Sequence, residues 1–217
     1  RERIAKLLRF ESTISDDPES RTTLEEYMGR MPEKQTRIYY LGGPEPSSLR
    51  KNPNLEIFNR RKLEVILLSD PIDEFVMNAL GGFQGKELTS IDSSDLDLPE
   101  AEESAAEKAE SSESDSAGTS HVVELFRAAL GDRVSDVRIS KRLIDSPCCL
   151  VNAEGALSTQ MQRLLKMANQ PIPDSAKILE INPDAPLITR LRSLGTNTDH
   201  DGFIKQCALQ LWANAMV

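Results

Sequence analysis

The sequence predicts an α/β protein with a small layered α/β unit, an acidic linker and a second, α+β unit. Short runs of branched apolar residues alternate with segments of helical periodicity, which is typical of strands and helices packed in layers. Glycine and proline separate many of these runs. A change of composition at residues 97–120 divides residues 1–96 from residues 121–217.

Residues 1–96 are predicted to alternate strands and helices, so we expect parallel strand pairing. Thr22 or Thr23 is suited to cap the first long helix, because its side-chain oxygen can accept a backbone hydrogen bond. Pro71 is tolerated in the first turn of a helix that follows Asp70. The predicted elements are a helix at Leu24–Met31, a strand at Arg37–Leu41, a short helix at Ser47–Lys51, a buried strand at Leu63–Leu68, a helix at Ile72–Leu80 and a strand at Leu88–Ile91.

The segment 97–120 contains eight acidic residues and one lysine, so it carries −7 of the formal net charge of −9. After Leu98 it has no aromatic or branched aliphatic residue, and it cannot bury enough apolar surface to offset the entropy lost on ordering. We therefore predict a linker. Its alanine and glutamate residues favour a solvated helix in the first half, and the composition after Ser111 favours disorder. An acidic binding segment is the alternative.

Residues 121–217 predict a second unit of helices and strands. We expect the first two strands to be neighbours, and Asn182-Pro183-Asp184 to cap the helix that follows the third strand. The predicted elements are a helix at Val122–Leu130, strands at Val134–Ile139 and Cys148–Val151, a helix at Leu157–Met167, a strand at Ile178–Ile181, and helices at Leu187–Leu194 and Phe203–Met216.

The composition excludes several classes of function. A net charge of −9 argues against non-specific nucleic-acid binding, and no apolar run approaches the roughly 20 residues that span a bilayer. Three cysteines, two of them adjacent, make a poor disulfide framework and indicate a reducing, cytoplasmic setting. With two histidines and no CxxC, HxH or HExxH, no metal site is predicted. The opening residues, Arg1 to Ile4, suggest a piece of a longer chain.

No catalytic constellation is predicted. Gly85-Lys86 lacks the glycine spacing of a phosphate loop, and Glu87 stands where the serine or threonine that contacts magnesium would be. The carboxylates of Asp70 and Asp73 are explained by the start of a helix, whose dipole attracts negative charge. Asp145-Ser146 has no nearby histidine that would complete a triad.

Two patterns are candidates for binding. Phe75 lies beside Glu74 and Asn78, which are spaced i and i+4 on one predicted helix. The second pattern is a narrow apolar stripe at i, i+4, i+7 and i+8, and methionine in such a stripe suits surfaces that bind varied partners. On the pattern alone a core-facing stripe is favoured. The stripe consists of Leu157, Met161, Leu164 and Leu165.

Seven motifs resemble the 90-kilodalton heat-shock chaperone family, and most closely its bacterial type. The last two of them are specific, all occur in the family's order, and the resemblance covers nearly the whole chain. The motifs are Lys6-Leu-Leu-Arg-Phe10, Thr23-Leu-Glu-Glu-Tyr27-Met, Arg37-Ile-Tyr-Tyr40, Leu68-Ser-Asp-Pro-Ile-Asp-Glu74, Leu130-Gly-Asp-Arg-Val134, Arg142-Leu-Ile-Asp-Ser-Pro147-Cys-Cys and Leu179-Glu-Ile-Asn-Pro-Asp184.

The resemblance implies a fragment of a chaperone. Residues 1–96 would be the C-terminal part of the middle domain, and residues 121–217 the C-terminal dimerisation domain, truncated before its last helix. In this family the ATP pocket lies in an N-terminal domain and a catalytic arginine lies earlier in the middle domain. We therefore expect no catalytic residue and no cofactor in this chain, and a slow ATPase that uses ATP and magnesium in the full-length protein.

The resemblance also implies surfaces that bind unfolded client proteins. Unfolded client proteins would bind Glu74, Phe75 and Asn78, and bacterial members usually have tryptophan at the Phe75 position. The stripe defined above would be an exposed client-binding surface, which reverses the core-facing interpretation.

The resemblance implies dimerisation through the last helix, where adjacent apolar pairs recur every four residues and form a broad apolar face. We expect a homodimer in the full-length protein and a weakened or non-native one here, with no nucleic-acid or membrane partner. The alternative is a non-catalytic scaffold of two protein-interaction modules. The predicted dimerisation residues are Phe203, Ile204, Cys207, Leu211 and Trp212.

Overall fold

The computed structural model divides into two compact units. It describes residues 2–17, 19–43, 45–96, 98, 113–158, 161–162, 165, 169–170 and 177–216. The first unit comprises Arg1–Pro99 together with Glu154–Ser175, and the second comprises Glu100–Ala153 together with Ala176–Val217. The sequence pattern predicts one unit over the whole of 121–217, whereas the contacts assign Glu154–Ser175 to the first unit.

The first unit contains a five-stranded sheet in the order β1-β3-β2-β5-β4. The central strand β2 is parallel to both β3 and β5, as the alternation of strands and helices predicts. The edge strands β1 and β4 pair antiparallel with β3 and β5. These strands are β1 at Glu11–Ser12, β2 at Arg37–Gly42, β3 at Ile66–Leu68, β4 at Gly82–Phe83 and β5 at Lys86–Ser90.

Two helices of the first unit, α2 and α5, begin where side chains satisfy free backbone N–H groups. At α2, Thr23 and Glu26 form a capping box, with Thr23 Oγ1 accepting from the Glu26 N–H at 3.0 Å. At α5, Asp70 Oδ1 accepts from the Ile72 N–H at 2.9 Å, and Gly81 ends the helix at a φ of 65°. The helices are α1 at Glu2–Ala5, α2 at Leu24–Arg30, α3 at Pro46–Leu49, α4 at Glu56–Arg61 and α5 at Pro71–Leu80.

Helix α4 and the 3₁₀ turn Pro53–Leu55 before it were not predicted from the sequence. The helix has six residues, which is too short to display a periodic apolar pattern. Its buried side chains Ile57 and Phe58 nevertheless anchor it, and the Phe58 ring meets the Tyr39 ring edge-on at 4.9 Å between centroids.

The second unit contains a three-stranded sheet in the order β6-β8-β7. The expectation that the first two strands are neighbours is wrong, because β8 lies between them, parallel to β6 and antiparallel to β7. The loop that follows β6 is tied to β8, where the buried carboxylate of Glu180 binds Ser140 Oγ at 2.8 Å and Arg142 Nε at 3.0 Å. The strands are β6 at Asp136–Ile139, β7 at Cys148–Asn152 and β8 at Lys177–Ile181.

Helix α6 extends over Glu113–Leu130, so the prediction of disorder after Ser111 is wrong from residue 113 onward. Tertiary contact overrides the weak local propensity here, since Thr119 is buried and accepts a hydrogen bond from Arg192. A Cβ at Gly118 would lie 2.8 Å from Arg192 Cγ, so glycine permits this close packing. Predicted linker residues 99–112 lie outside the described residues.

Two further helices complete the second unit: α7 at Pro186–Leu194 and α8 at Asp201–Ala215. The predicted side-chain cap of α7 is absent, because Asn182 instead folds the preceding turn by accepting the Asp184 N–H at 3.1 Å. Among the described residues, no helix has the length and apolar character needed to cross a bilayer.

Candidate interaction site

Helix α5 presents an apolar face to solvent in the first unit. Phe75 is 42% exposed, and Ile72, one turn earlier on the same face, is 59% exposed. Asn78, one turn later, is also exposed. Ile72 is not among the binding residues predicted from the sequence, although its spacing of three residues from Phe75 places it on the same helical face.

The structure corrects the prediction for Glu74, which was expected on the same polar flank as Asn78. Its side chain is 1% exposed, so it lies under the helix rather than on its outer face. The Ser158 hydroxyl donates a hydrogen bond to the Glu74 carboxylate. Removal from water raises the pKa of Glu74 to about 7, the Ser158 hydrogen bond opposes this, and the charge of Asp92 adds to it.

Ser158 also contacts the described helical residues Met161 and Gln162, which lie in the predicted stripe segment. Its Oγ accepts from the Met161 N–H at 3.1 Å, and its backbone carbonyl accepts from the Gln162 N–H at 3.0 Å. Leu157, Met161 and Leu165 are half-buried, so each retains accessible apolar surface. Leu164 lies outside the described residues.

The two predicted client-binding patches therefore belong to one compact unit. The sequence placed them in separate domains, because they are about eighty residues apart and the acidic segment separates them. Contacts across such a separation leave no periodic signal in a single sequence.

The predicted dimerisation residues on α8 are divided between the core and the surface. Phe203 is 55% exposed, and Cys207 and Trp212 are half-buried. Ile204 and Leu211 are buried in the core of their own unit, which corrects their assignment to an exposed interface.

The neighbours of α8 explain this division. Helix α6 packs along α8, and its apolar side chains Val122 and Phe126 share one buried cluster with Ile204, Ala208 and Leu211. The apolar side chains of α8 that are buried in the unit's own core cannot contact a partner. Only the apolar side chains that stay accessible at the surface are available for dimerisation.

The cysteines of this unit behave as apolar residues. Burial raises the pKa of the Cys148 thiol to about 11, and its Sγ lies 3.7 Å from the Leu211 carbonyl oxygen. Burial also raises the pKa of Cys207. Within the described ranges, no group of three or more histidine, cysteine or acidic side chains is arranged to hold a metal ion.

Comparisons with known proteins agree with the motifs. The chain is 45% identical over 196 residues to a protein named Chaperone protein HtpG from Shewanella amazonensis, covering 88% of this chain and 30% of the relative. Proteins of the same name from Cupriavidus taiwanensis and Methylococcus capsulatus are 45% and 44% identical, over 89% and 91% of this chain and 30% and 31% of their own lengths.

The chain thus spans about 30% of the length of the curated relatives it matches. A sequence model of one family, described as Hsp90 protein, matches residues 1–217. Because this match covers every residue, the chain belongs to the Hsp90 family.

Proposed function

We propose that this chain supplies the client-binding surface of a cytoplasmic molecular chaperone. The observation that carries the proposal is the outer face of α5 in the first unit, where Phe75 and Ile72 are exposed; Leu157, Met161 and Leu165 of the same unit are half-buried. Contiguous exposed apolar surface marks sites of protein interaction.

The chemistry of these side chains suits partners without a fixed shape. Unfolded proteins present apolar segments in many conformations, and the flexible thioether of Met161 can adapt to them. Phe75 supplies a rigid aromatic anchor, and the nearby Asn78 supplies hydrogen-bonding groups at the edge of the apolar patch.

We also propose that the chaperone activity of the full-length protein depends on ATP, because the resemblance to the family implies it. We assign slow ATP hydrolysis, with its magnesium, to a part of the full-length protein outside residues 1–217, and we expect no ATP turnover by the purified chain. A turnover rate above background that is abolished by a competing nucleotide analogue would contradict this assignment.

Homodimerisation of the full-length protein is proposed at the side chains of α8 that border its own core, with Phe203 and Cys207 on one side of the helix and Trp212 on the other. Arg133 lies over the Trp212 ring at 5.7 Å, so a partner must pack beside this pair or displace the arginine. Sedimentation of the purified chain at micromolar concentration should show a monomer or a weak dimer. A tight two-fold dimer would contradict the expected weakening.

Aggregation of an unrelated, thermally unfolded protein tests the client-binding role. The chain should suppress this aggregation, and Phe75→Ala should weaken suppression, because truncating an aromatic anchor typically costs about 2 kcal/mol of binding. A matched control is Ile139→Ala, which removes a comparably exposed apolar side chain, 49% accessible, from β6 in the second unit.

Equal loss in both variants would indicate non-specific apolar contact and would contradict a dedicated site on α5. If the chain binds folded proteins but does not suppress aggregation, the two units form a scaffold rather than a chaperone surface.

A further inference from the structure

A cavity of about 280 Å³ lies in the first unit between α2, the loop after β1 and the segment that joins α4 to β3. None of the described residues that line it belongs to α5 or to the predicted apolar stripe. Small-molecule sites occupy roughly 300 to 1,000 Å³, so a cavity of this size admits one or two side chains of a ligand. The cavity is therefore distinct from the proposed client-binding face.

The buried part of the lining is a polar network that the protein itself holds in place. Tyr27 Oη accepts the Tyr39 N–H at 3.1 Å and the Gln35 side-chain amide at 2.9 Å, and it donates to the Glu64 carbonyl oxygen at 2.8 Å. Tyr27 and Gln35 are each 1% exposed, so water does not compete for these bonds. A lining that is already ordered reduces the entropy that ligand binding costs.

Gln35 contributes an acceptor that this network leaves unused. Its Nε2 donates both to Tyr27 Oη and to the Arg37 carbonyl oxygen, the latter at 2.7 Å, whereas its Oε1 accepts no hydrogen bond from the described residues. A buried amide oxygen without a partner has lost its water and gains from a new N–H donor. The lining therefore favours a ligand that carries an amide N–H group.

The charged side chains of the lining favour an anion. Arg30 is paired with Glu64, since its Nε and Nη2 donate to the two carboxylate oxygens at 2.9 and 2.8 Å. Lys62 also lines the cavity, and its exposed ammonium group has no ion-pair or hydrogen-bond partner among the described residues. Two cations against one carboxylate leave a positive charge here, although the whole chain has a net charge of −9.

Apolar side chains supply a third kind of contact. Ile14, Met31, Pro32 and Leu63 all line the cavity. Leu63 is buried and Met31 is half-buried, whereas Ile14 is 58% exposed at the edge. An aliphatic ligand group would cover this surface, and the flexible thioether of Met31 can adjust to its shape.

We propose that the cavity binds the C-terminal residue of an unstructured partner protein whose last side chain is aliphatic. The terminal carboxylate pairs with Lys62, the aliphatic side chain contacts Met31 and Leu63, and the amide N–H of the last residue donates to Gln35. An internal apolar segment lacks the terminal carboxylate, and a fatty acid lacks the amide N–H. A chain end combines all three groups, so this recognition goes beyond the proposed binding of apolar client segments.

Methyl NMR of the purified chain tests the site, with acetyl-alanyl-leucine at millimolar concentration as the probe. The methyl signals of Met31 and Ile14 should shift and saturate, whereas that of Ile72 on α5 should stay in place. The same peptide with a C-terminal amide should bind about tenfold more weakly, because it has lost the charge-assisted contact. Acetyl-alanyl-alanine should also bind more weakly, because most of the aliphatic group is missing.

Variants of the chain test the role of Lys62. Lys62→Gln keeps the length of the side chain but not its charge, so it should weaken binding of the free acid by up to about fivefold and leave binding of the amide unchanged. Lys62→Arg should restore binding of the acid. The matched control is Lys51→Gln, which removes an exposed lysine of the same unit that does not line the cavity and should have no effect.

Several results would overturn the proposal. No shift of Met31 and Ile14, equal affinity for the acid and the amide, or equal losses in Lys62→Gln and Lys51→Gln would each contradict a carboxylate site at this cavity. Binding of 4-methylpentanoate as tightly as the peptide would indicate a site for simple fatty acids. Shifts confined to Ile72 would place the peptide on the client-binding face, so this outcome separates the proposal from the client-binding function.

Discussion

Helices α5 and α8 both carry large apolar side chains, but they differ in which of these side chains the protein itself covers. On α5, Phe75 and Ile72 face solvent while the acidic Glu74 is buried. On α8, Ile204 and Leu211 enter the core beside α6, and Phe203 remains exposed. The comparison teaches that periodicity defines a helical face, whereas the neighbouring elements decide whether that face is core or available surface.

The largest effect expected from this comparison is on α8. Ile204→Ala should lower the free energy of unfolding of the second unit by about 2 to 5 kcal/mol, because it leaves a cavity in a closely packed core. Phe203→Ala, one residue earlier and 55% exposed, should change it by less than about 0.5 kcal/mol. Urea denaturation measures both, and equal losses would show that Phe203 is part of the core.

The pH dependence of stability sharpens the comparison at α5. Because the folded pKa of Glu74 is raised above 4.5, its stabilising contribution is complete below that pH and is lost as the pH rises through about 7. Glu74→Gln should remove this dependence, which we expect to be on the order of a few kcal/mol at most.

Denaturation at pH 5 and pH 8 measures the effect, with Glu64→Gln as a control from the same unit whose carboxylate is paired with Arg30 at 2.8 Å. If wild type and Glu74→Gln lose the same stability between these pH values, another group is responsible.

The smallest effect concerns how the two helices begin. Asp70 caps α5 through its side chain, whereas His200 at the start of α8 makes no side-chain capping bond within the described part of the chain. Asp70→Ala should therefore destabilise the first unit by about 1 kcal/mol, and His200→Ala should have a negligible effect on the second. Thermal unfolding followed by circular dichroism distinguishes them, and an equal shift would contradict the cap assignment.

Much of this architecture was accessible from the sequence because local rules operate there. Short patterns predict a cap at Thr22 or Thr23, the Asp70-Pro71 start of α5 and parallel strand pairing in the first unit. The structure places the cap at Thr23 and pairs β2 in parallel with β3 and β5. Family motifs identified the Hsp90 family, which composition and periodicity alone did not.

What the sequence did not reveal depends on contacts between distant residues. The insertion of β8 between β6 and β7 is stabilised by Glu180, which binds Ser140 and Arg142 about forty residues away. The buried Glu74 has as its hydrogen-bond partner Ser158, eighty-four positions later in the chain. Contacts between such distant residues produce no periodic pattern in a single sequence. For Glu74, the spacing predicts the solvent-exposed face of the helix, whereas the side chain lies on the buried face.

Site-specific photo-crosslinking tests the central claim, that the outer face of α5 binds unfolded protein. A photoreactive phenylalanine analogue replaces Phe75 in one protein and Ile139 in a second, so that both probes are similarly exposed but lie in different units. With an unfolded client present, we predict strong crosslinking from position 75 and background crosslinking from position 139. Equal crosslinking at the two positions, or none at position 75, would contradict the account.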